Sequence, residues 1–264
     1  MRIEGLSLFV SLVLLCLPAL VARAQRRPVK TAAPTPVVAV TPAAADPARE
    51  IDKLFSHGED AARDRQAHSL AERALAADAG NYQLLWRRAR SAYYVGDEAP
   101  AGEKLGYFEG GVQAAQKAIQ LNPNGVEGHF WLGVCYGGIA EVRSALRALS
   151  IVKKIRAEME TVLRLHDHYE DGSAYLALGQ MDTELPRLFG GSTTRAISYL
   201  EKGLAVAPKN TGIRLALAEA YRDAGRREDA RRQLDEILQM PVNPARAKEQ
   251  RSVQDKARRL LGKV

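Results

Sequence analysis

Cysteine is nearly missing from this chain: of 264 residues only Cys16 and Cys135 carry a thiol. If Cys16 falls in a leader that is removed, no intrachain disulfide can form and the core must hold the fold unaided. Aromatic residues are sparse, at 6%, and strand-like alternation of apolar and polar residues is almost absent, which argues against a sandwich or barrel. The sequence also lacks the signatures of common chemistries. Gly102-Glu103-Lys104 has neither the glycine five residues before the lysine nor the hydroxyl after it that a phosphate loop needs. No serine lies in a Gly-x-Ser-x-Gly turn, and Cys135 sits in an apolar helical stretch that suits an inert buried thiol. His166-Asp167-His168-Tyr169-Glu170 offers metal-ligating groups, but on a helix only His166 and Glu170 share a face, and the spacing fits no closed site. These absences point away from an enzyme, a metal and a cofactor.

The first apolar stretch is Leu6 to Ala22, preceded by Arg2 and ending in Ala22-Arg23-Ala24, a small-x-small exit that a signal peptidase could cut before Gln25. Residues 1–24 are therefore expected to be a cleavable signal peptide, and the mature protein is expected in the periplasm or secreted. The alternative is an uncleaved N-terminal helix acting as an anchor. The run is a little shorter than the roughly 20 apolar residues of a spanning helix. Leu14 and Leu15 before Cys16 argue against lipid attachment there. Residues 25–47, rich in Pro, Ala, Val and Thr, cannot form a packed core and are expected to be a disordered linker. The formal net charge is +7. In an exported protein this fits basic residues on exposed helix faces, and nucleic acid is not expected as a partner.

From residue 48 to 264 charged, helix-periodic segments alternate with turn residues: Gly80-Asn81, Asn122-Pro123-Asn124, Gly190-Gly191, Pro208-Lys209-Asn210 and Gly225. Four segments share one rhythm of offsets, four, three and one. They are Ala67, Ala71, Ala74, Leu75; Gly111, Ala115, Ala118, Ile119; Ala196, Leu200, Gly203, Leu204; and Ala230, Leu234, Ile237, Leu238. Residues three and four apart share a helix face, so each segment presents a stripe of small or aliphatic side chains that one helix pair cannot bury alone. Between them lie helices bearing aromatic and small residues, over 82–95, 126–140, 172–181 and 213–224. Leu217, Ala218 and Tyr221 precede Ala230 by thirteen, twelve and nine residues, as in a tetratricopeptide repeat. The expected fold is all-α, a tetratricopeptide-like superhelix of stacked antiparallel helix pairs closed by a capping helix over 245–261, whose Val253, Ala257, Leu260 and Leu261 share a face.

Several motifs, in their order along the chain, resemble the TatT family, the T component of tripartite ATP-independent periplasmic (TRAP) transporters. They are Leu84-Leu85-Trp86-Arg87-Arg88-Ala89-Arg90, Leu121-Asn122-Pro123-Asn124, His129-Phe130-Trp131-Leu132-Gly133, Leu178-Gly179, and Leu185-Pro186 with Gly190-Gly191. The resemblance spans residues 51–238. It implies a periplasmic helical protein that works beside a TRAP substrate-binding protein and holds or relays a small organic ligand. The sequence departs from that pattern at His168, where many repeats place a turn proline, and in lacking a lipidated cysteine.

Trp86, Tyr93, Tyr94, Phe130, Trp131, Tyr136 and Tyr175 all fall on the first helix of a pair, the helices that line the concave side of such stacks. Tyr93 and Tyr136 suit packing between repeats. Trp86, Trp131 and Tyr175, with polar contacts from Arg90, His129 and Arg187, are the candidate ligand- or partner-binding residues of an aromatic-walled groove. The stretch from Leu185 to Gly191 reads either as a functional loop or as a turn covering helix ends, with Ser192 or Thr193 capping the next helix. Two functions follow as expectations. One is a binding component of TRAP-type uptake, with a small ligand or its substrate-binding protein as partner. The other is a general cell-envelope interaction scaffold. A second copy of the chain is a further candidate partner.

Overall fold

The computed structural model describes residues 46–243 and 247–264, without the side chains of 145–147. The expected leader and linker lie outside the described residues. Among these there are eleven α-helices and no strand: α1 (Pro47–Leu54), α2 (Ala61–Ala77), α3 (Tyr82–Glu98), α4 (Ala101–Leu121), α5 (Val126–Val142), α6 (Ala145–His166), α7 (Ser173–Glu184), α8 (Thr193–Val206), α9 (Thr211–Asp223), α10 (Arg227–Gln239) and α11 (Ala247–Leu261). None is long and apolar enough to cross a membrane.

Local chemistry explains where the helices start. Asp60 accepts from the backbone N–H of Ala62 and Arg63, Asn81 from Leu84, Ser192 from Arg195 and Asn210 from Ile213, each satisfying donors that a first turn leaves open. Neighbours in sequence pack as pairs, α1 with α2, α3 with α4, α5 with α6, α7 with α8 and α9 with α10, and α11 closes the stack on α9 and α10. The repeat rhythm falls on α2, α4, α8 and α10, the second helices. It overlooked α6, the 22-residue partner of α5. Ala148, Val152, Ile155 and Met159 of α6 follow the same spacing of four and three and are buried, but with larger side chains than the rhythm looked for.

Close approach is what the small residues permit. A Cβ on Gly111 would stand 2.5 Å from the Cys135 sulfur, and one on Gly179 would overlap Leu200. The core runs as overlapping clusters along the stack: one from Phe55 to Leu185, a second centred on Leu176, Leu200, Ile213 and Leu217, and a third joining Leu215 and Leu234 to Val253 and Leu260 of α11. The expected cap is thus present, and it completes the last pair.

Candidate functional site

The stack curls until its ends face each other. The α1–α2 loop (His57, Gly58, Glu59), the C-terminal end of α3 (Tyr94, Asp97, Glu98) and the start of α11 (Lys248, Glu249, Ser252) together line a cleft of about 220 Å3. The loop is held chiefly through Asp64, with Ser56 also bonded to Asp60. The fully buried carboxylate of Asp64 accepts from Ser56 N (2.8 Å), the Ser56 hydroxyl (2.8 Å) and Gly58 N (2.9 Å), while His57 and Gly58 take left-handed φ of 57° and 79°. A left-handed conformation costs a non-glycine residue energy, and at His57 the Asp64 bonds on either side hold it.

Behind the cleft, Tyr94 meets Phe55 edge-on at 4.9 Å and Trp131 at 6.1 Å. Burial pushes the Asp97 carboxyl up, opposed by Lys104 and reinforced by Glu141 and Glu98. Glu59, Asp97, Glu98 and Glu249 stand against a single lining cation, Lys248. The chain is basic overall, yet this cleft favours a cation.

The six candidate residues separate into groups. Trp86 and Trp131 are buried, 8% and 1% exposed, which corrects the expectation that they wall an open groove. Trp131 packs edge-on to Phe130 at 5.1 Å, and the Trp86 indole donates to Gln83. The physical reason is that both rings turn into inter-helix contacts, Trp131 against Tyr94 and Phe130 and Trp86 beneath Arg90, where a large apolar ring gains by burial. Arg90 is likewise buried, stacked over the Phe55 ring at 3.9 Å and bonded to Asp52 at 2.7 Å. Burial alone would raise the Asp52 carboxyl, but bonds from Arg87 and Arg90 hold it below the ordinary range. Arg90 therefore joins α3 to α1.

His129 bonds Glu158 of α6 at 2.7 Å and the Pro123 carbonyl at 2.9 Å, a link between helices. Tyr175 is half-buried against Gly203 of α8, and Arg187 is exposed in a short 3-10 turn, Arg187–Phe189. The structure brings Trp86, Arg90 and Trp131 together as core and leaves His129, Tyr175 and Arg187 apart. Among the described residues no group of three or more His, Cys, Asp or Glu is gathered to hold a metal. Burial also pushes the Cys135 thiol far up, away from the reactive thiolate.

Sequence reasoning missed the cleft residues His57, Glu59, Asp97 and Glu98. The signal was Ser56-His57-Gly58-Glu59-Asp60, a polar turn between apolar helices. A second polar feature was also missed. On α7, Gln180 is 3% exposed with neither side-chain polar atom bonded, and Glu184, one turn on, has a buried oxygen without a partner. Burial and the nearby Glu219 push the Glu184 carboxyl up to about 8.

Comparison with known proteins separates the chain into two parts. Residues 48–184 match a family model described as regulator of microtubule dynamics protein 1-3, and residues 191–249 match a tetratricopeptide repeat model. A thermophilic TPR protein from Thermus thermophilus superimposes with a TM-score of 0.59 at 22% identity, over 80% of this chain and 96% of that one. MamA aligns over 75% of this chain and 92% of its own at 17% identity, with a TM-score of 0.47. The first of these shows a shared tetratricopeptide-type fold. No curated protein matches this chain.

Proposed function

The chain belongs to the regulator of microtubule dynamics protein 1-3 family, and from that premise we propose that it is an interaction scaffold whose cleft receives a basic segment of a partner polypeptide. Helical-repeat proteins of this type typically bind other proteins and are not enzymes. The observation that carries the reading is the cleft between α3 and α11, lined by Glu59, Asp97, Glu98 and Glu249 with Lys248 beside the Tyr94 ring, Lys104 standing 4.0 Å from Asp97. A lysine or arginine side chain entering there would replace water with carboxylates and lay its aliphatic stem on Tyr94.

A Glu59→Lys, Glu98→Lys double variant of the full chain, titrated with a labelled lysine-rich peptide, tests this. Both residues are solvent-exposed, so the fold should be retained. Binding is expected to weaken by about tenfold or more, as losing two opposite charges implies. Unchanged binding would remove the cleft as the site.

Two narrower readings concern the partner. The family's name points to a microtubule, whereas the apolar segment Leu6–Ala22 with its Ala22-Arg23-Ala24 exit points to export. A chain carried out of the cytoplasm meets no microtubule, so compartment decides between them. N-terminal sequencing of the native protein after fractionation, with co-sedimentation on assembled tubulin, gives the answer. The TRAP reading rests on the motif order from Leu84-Leu85-Trp86 to Gly190-Gly191. It requires export, and it is tested by binding to a TRAP substrate-binding protein.

A further inference from the structure

A second surface, separate from the cleft, surrounds the loop between α7 and α8. Leu188 is 87% exposed and Phe189 45%, two of the three large apolar side chains that the described residues leave exposed. The loop is not loose. Its turn is closed by Phe189 N and Gly191 N donating to the Pro186 carbonyl at 2.8 and 3.2 Å, and Ser192 N ties it to the Asp182 carbonyl at 2.8 Å. Gly190 takes a φ of 92°, and a Cβ on Gly191 would collide with the Leu185 carbonyl. A backbone so fully bonded holds two apolar side chains in water, where burial against a partner would be favourable.

Beside the loop lies a recess of about 380 Å3 lined by Val152, Lys153, Arg156 and Glu160 of α6, by Phe189 and Gly190, and by Arg195 of α8. Arg156 and Arg195 both bond the carboxylate of Asp182, whose side chain is wholly buried. That shared carboxylate fixes two guanidinium groups at the recess, and Arg195 is held further by donating to the Gly190 carbonyl. What an incoming segment meets is Lys153, Arg156 and Arg195 against Glu160 and the buried Asp182, an excess of one positive charge, with Arg187 beside Leu188.

We propose that this surface docks an acidic polypeptide segment carrying an apolar side chain, its carboxylates on Lys153, Arg156 and Arg195 and its apolar group over Leu188 and Phe189. Held arginines suit carboxylate recognition because little side-chain freedom is left to lose, and an apolar anchor beside them is the usual composition of a binding hot spot. The cleft between α3 and α11 has the opposite charge, so the two surfaces select different segments.

The test uses the full chain and a fluorescent peptide of alternating Glu and Leu, with a Gln-and-Leu peptide of equal length as its neutral counterpart. Fluorescence anisotropy should show the Glu peptide binding, the Gln peptide binding about tenfold or more weakly, and affinity falling as salt rises from about 50 to about 300 mM. A Leu188→Ser, Phe189→Ser double variant and, separately, Lys153→Glu should each weaken binding by about tenfold. Leu188 and Lys153 are exposed, so Lys153→Glu and the single Leu188→Ser variant keep the fold and serve as the check if the double variant does not. Equal binding of the two peptides, or full binding by Lys153→Glu and Leu188→Ser, would overturn the proposal. So would sedimentation showing that the loop variants abolish only self-association, since the surface would then be a contact between copies. The lysine-rich peptide should bind the Leu188→Ser variant as it binds the unaltered chain, which separates this surface from the cleft.

Discussion

The two halves of the stack obey one packing rule with different materials. Between residues 82 and 166 the helices are long, 17 residues in α3 and α5, 21 in α4 and 22 in α6, and their interior holds Trp86, Tyr93, Tyr94, Phe108, Phe130, Trp131 and Tyr136. From residue 173 to 239 the helices run 12 to 14 residues, and Tyr221 is the one buried aromatic among the described residues. Between the halves Glu170, Asp171 and Gly172 take left-handed φ of 49°, 54° and 71°, fixed in part by Asn210 donating to the Asp171 carbonyl. The longer helices meet over more turns, and in this half rings fill the layers between them. Shorter ones close with Leu, Ile and Ala. The family match does not stop at this boundary: it runs on through α7 to residue 184, and the general repeat model starts at 191.

The largest expected effect comes from removing the end of the shorter half. Ending the chain after Asn243 strips Val253, Ala257 and Leu260 from Leu215, Leu234 and Ile237, leaving the last pair with an uncovered apolar face. Loss of soluble protein, or a lost cooperative transition in circular dichroism, is expected; a monomeric product with an unchanged melt would show that α11 is dispensable.

Next comes the aromatic half. Trp131→Ala should cost about 3–5 kcal/mol in urea unfolding, because removing a fully buried indole loses its burial and leaves a cavity. Leu217→Ala, at a fully buried position of the shorter half, should cost about 2–5 kcal/mol. If the leucine change proved the costlier, the aromatic layer would not be the stronger part of the stack.

A smaller effect is expected at the junction side of α7. Asp182→Ala removes the acceptor shared by Arg156 and Arg195. Both arginines can turn toward solvent, their side chains being 22% and 44% exposed, so the loss should be about 1–3 kcal/mol, well short of what a stranded buried charge costs. The variant should also loosen the loop, seen as faster amide exchange at Ser192, whose N–H bonds the Asp182 carbonyl.

How much of this was legible depended on whether the pattern was local. Four second helices announced themselves because Ala and Gly at close contacts recur at fixed offsets. The α6 helix did not, since Val152 and Met159 fill the same positions with bulk. The loop from Leu185 to Gly191 was legible as a distinct feature, and Ser192 was legible as a cap, because turn and cap chemistry is written in adjacent residues. The cleft was not, for it joins Tyr94 to Lys248 across most of the chain and exists only because the stack curls. Trp86 and Trp131 misled for a related reason: on a first helix the same periodicity serves both a groove wall and an inter-repeat core, and only the neighbour's position decides. Arg90 went the same way, as its partner Asp52 lies on α1, outside any motif.

The smallest effect, and the one that probes the polar side of the shorter half, is expected at Glu184. Its carboxyl is raised from the ordinary 4.5 to about 8, first by burial and then by Glu219 of α9, which itself faces Arg222, Asp223 and Lys256 of α11. Between these two values the folded chain holds a proton that the unfolded chain has released. Unfolding then releases a proton, and the stability this group contributes, fully present below about 4.5, is lost as the pH climbs through about 8. Glu184→Gln keeps the shape and removes the ionisation. Because the group is partly solvated, the variant should gain only about 1–2 kcal/mol over the wild-type chain at pH 8.5, and nothing at pH 4.5. Paired urea titrations at the two pH values measure the difference, in which the other raised carboxyls, Asp97 and Glu219, largely cancel. An equal gain at both pH values would mean that packing and not charge is at stake. A loss at pH 8.5 would mean that Glu184 is ionised and paired in the folded chain.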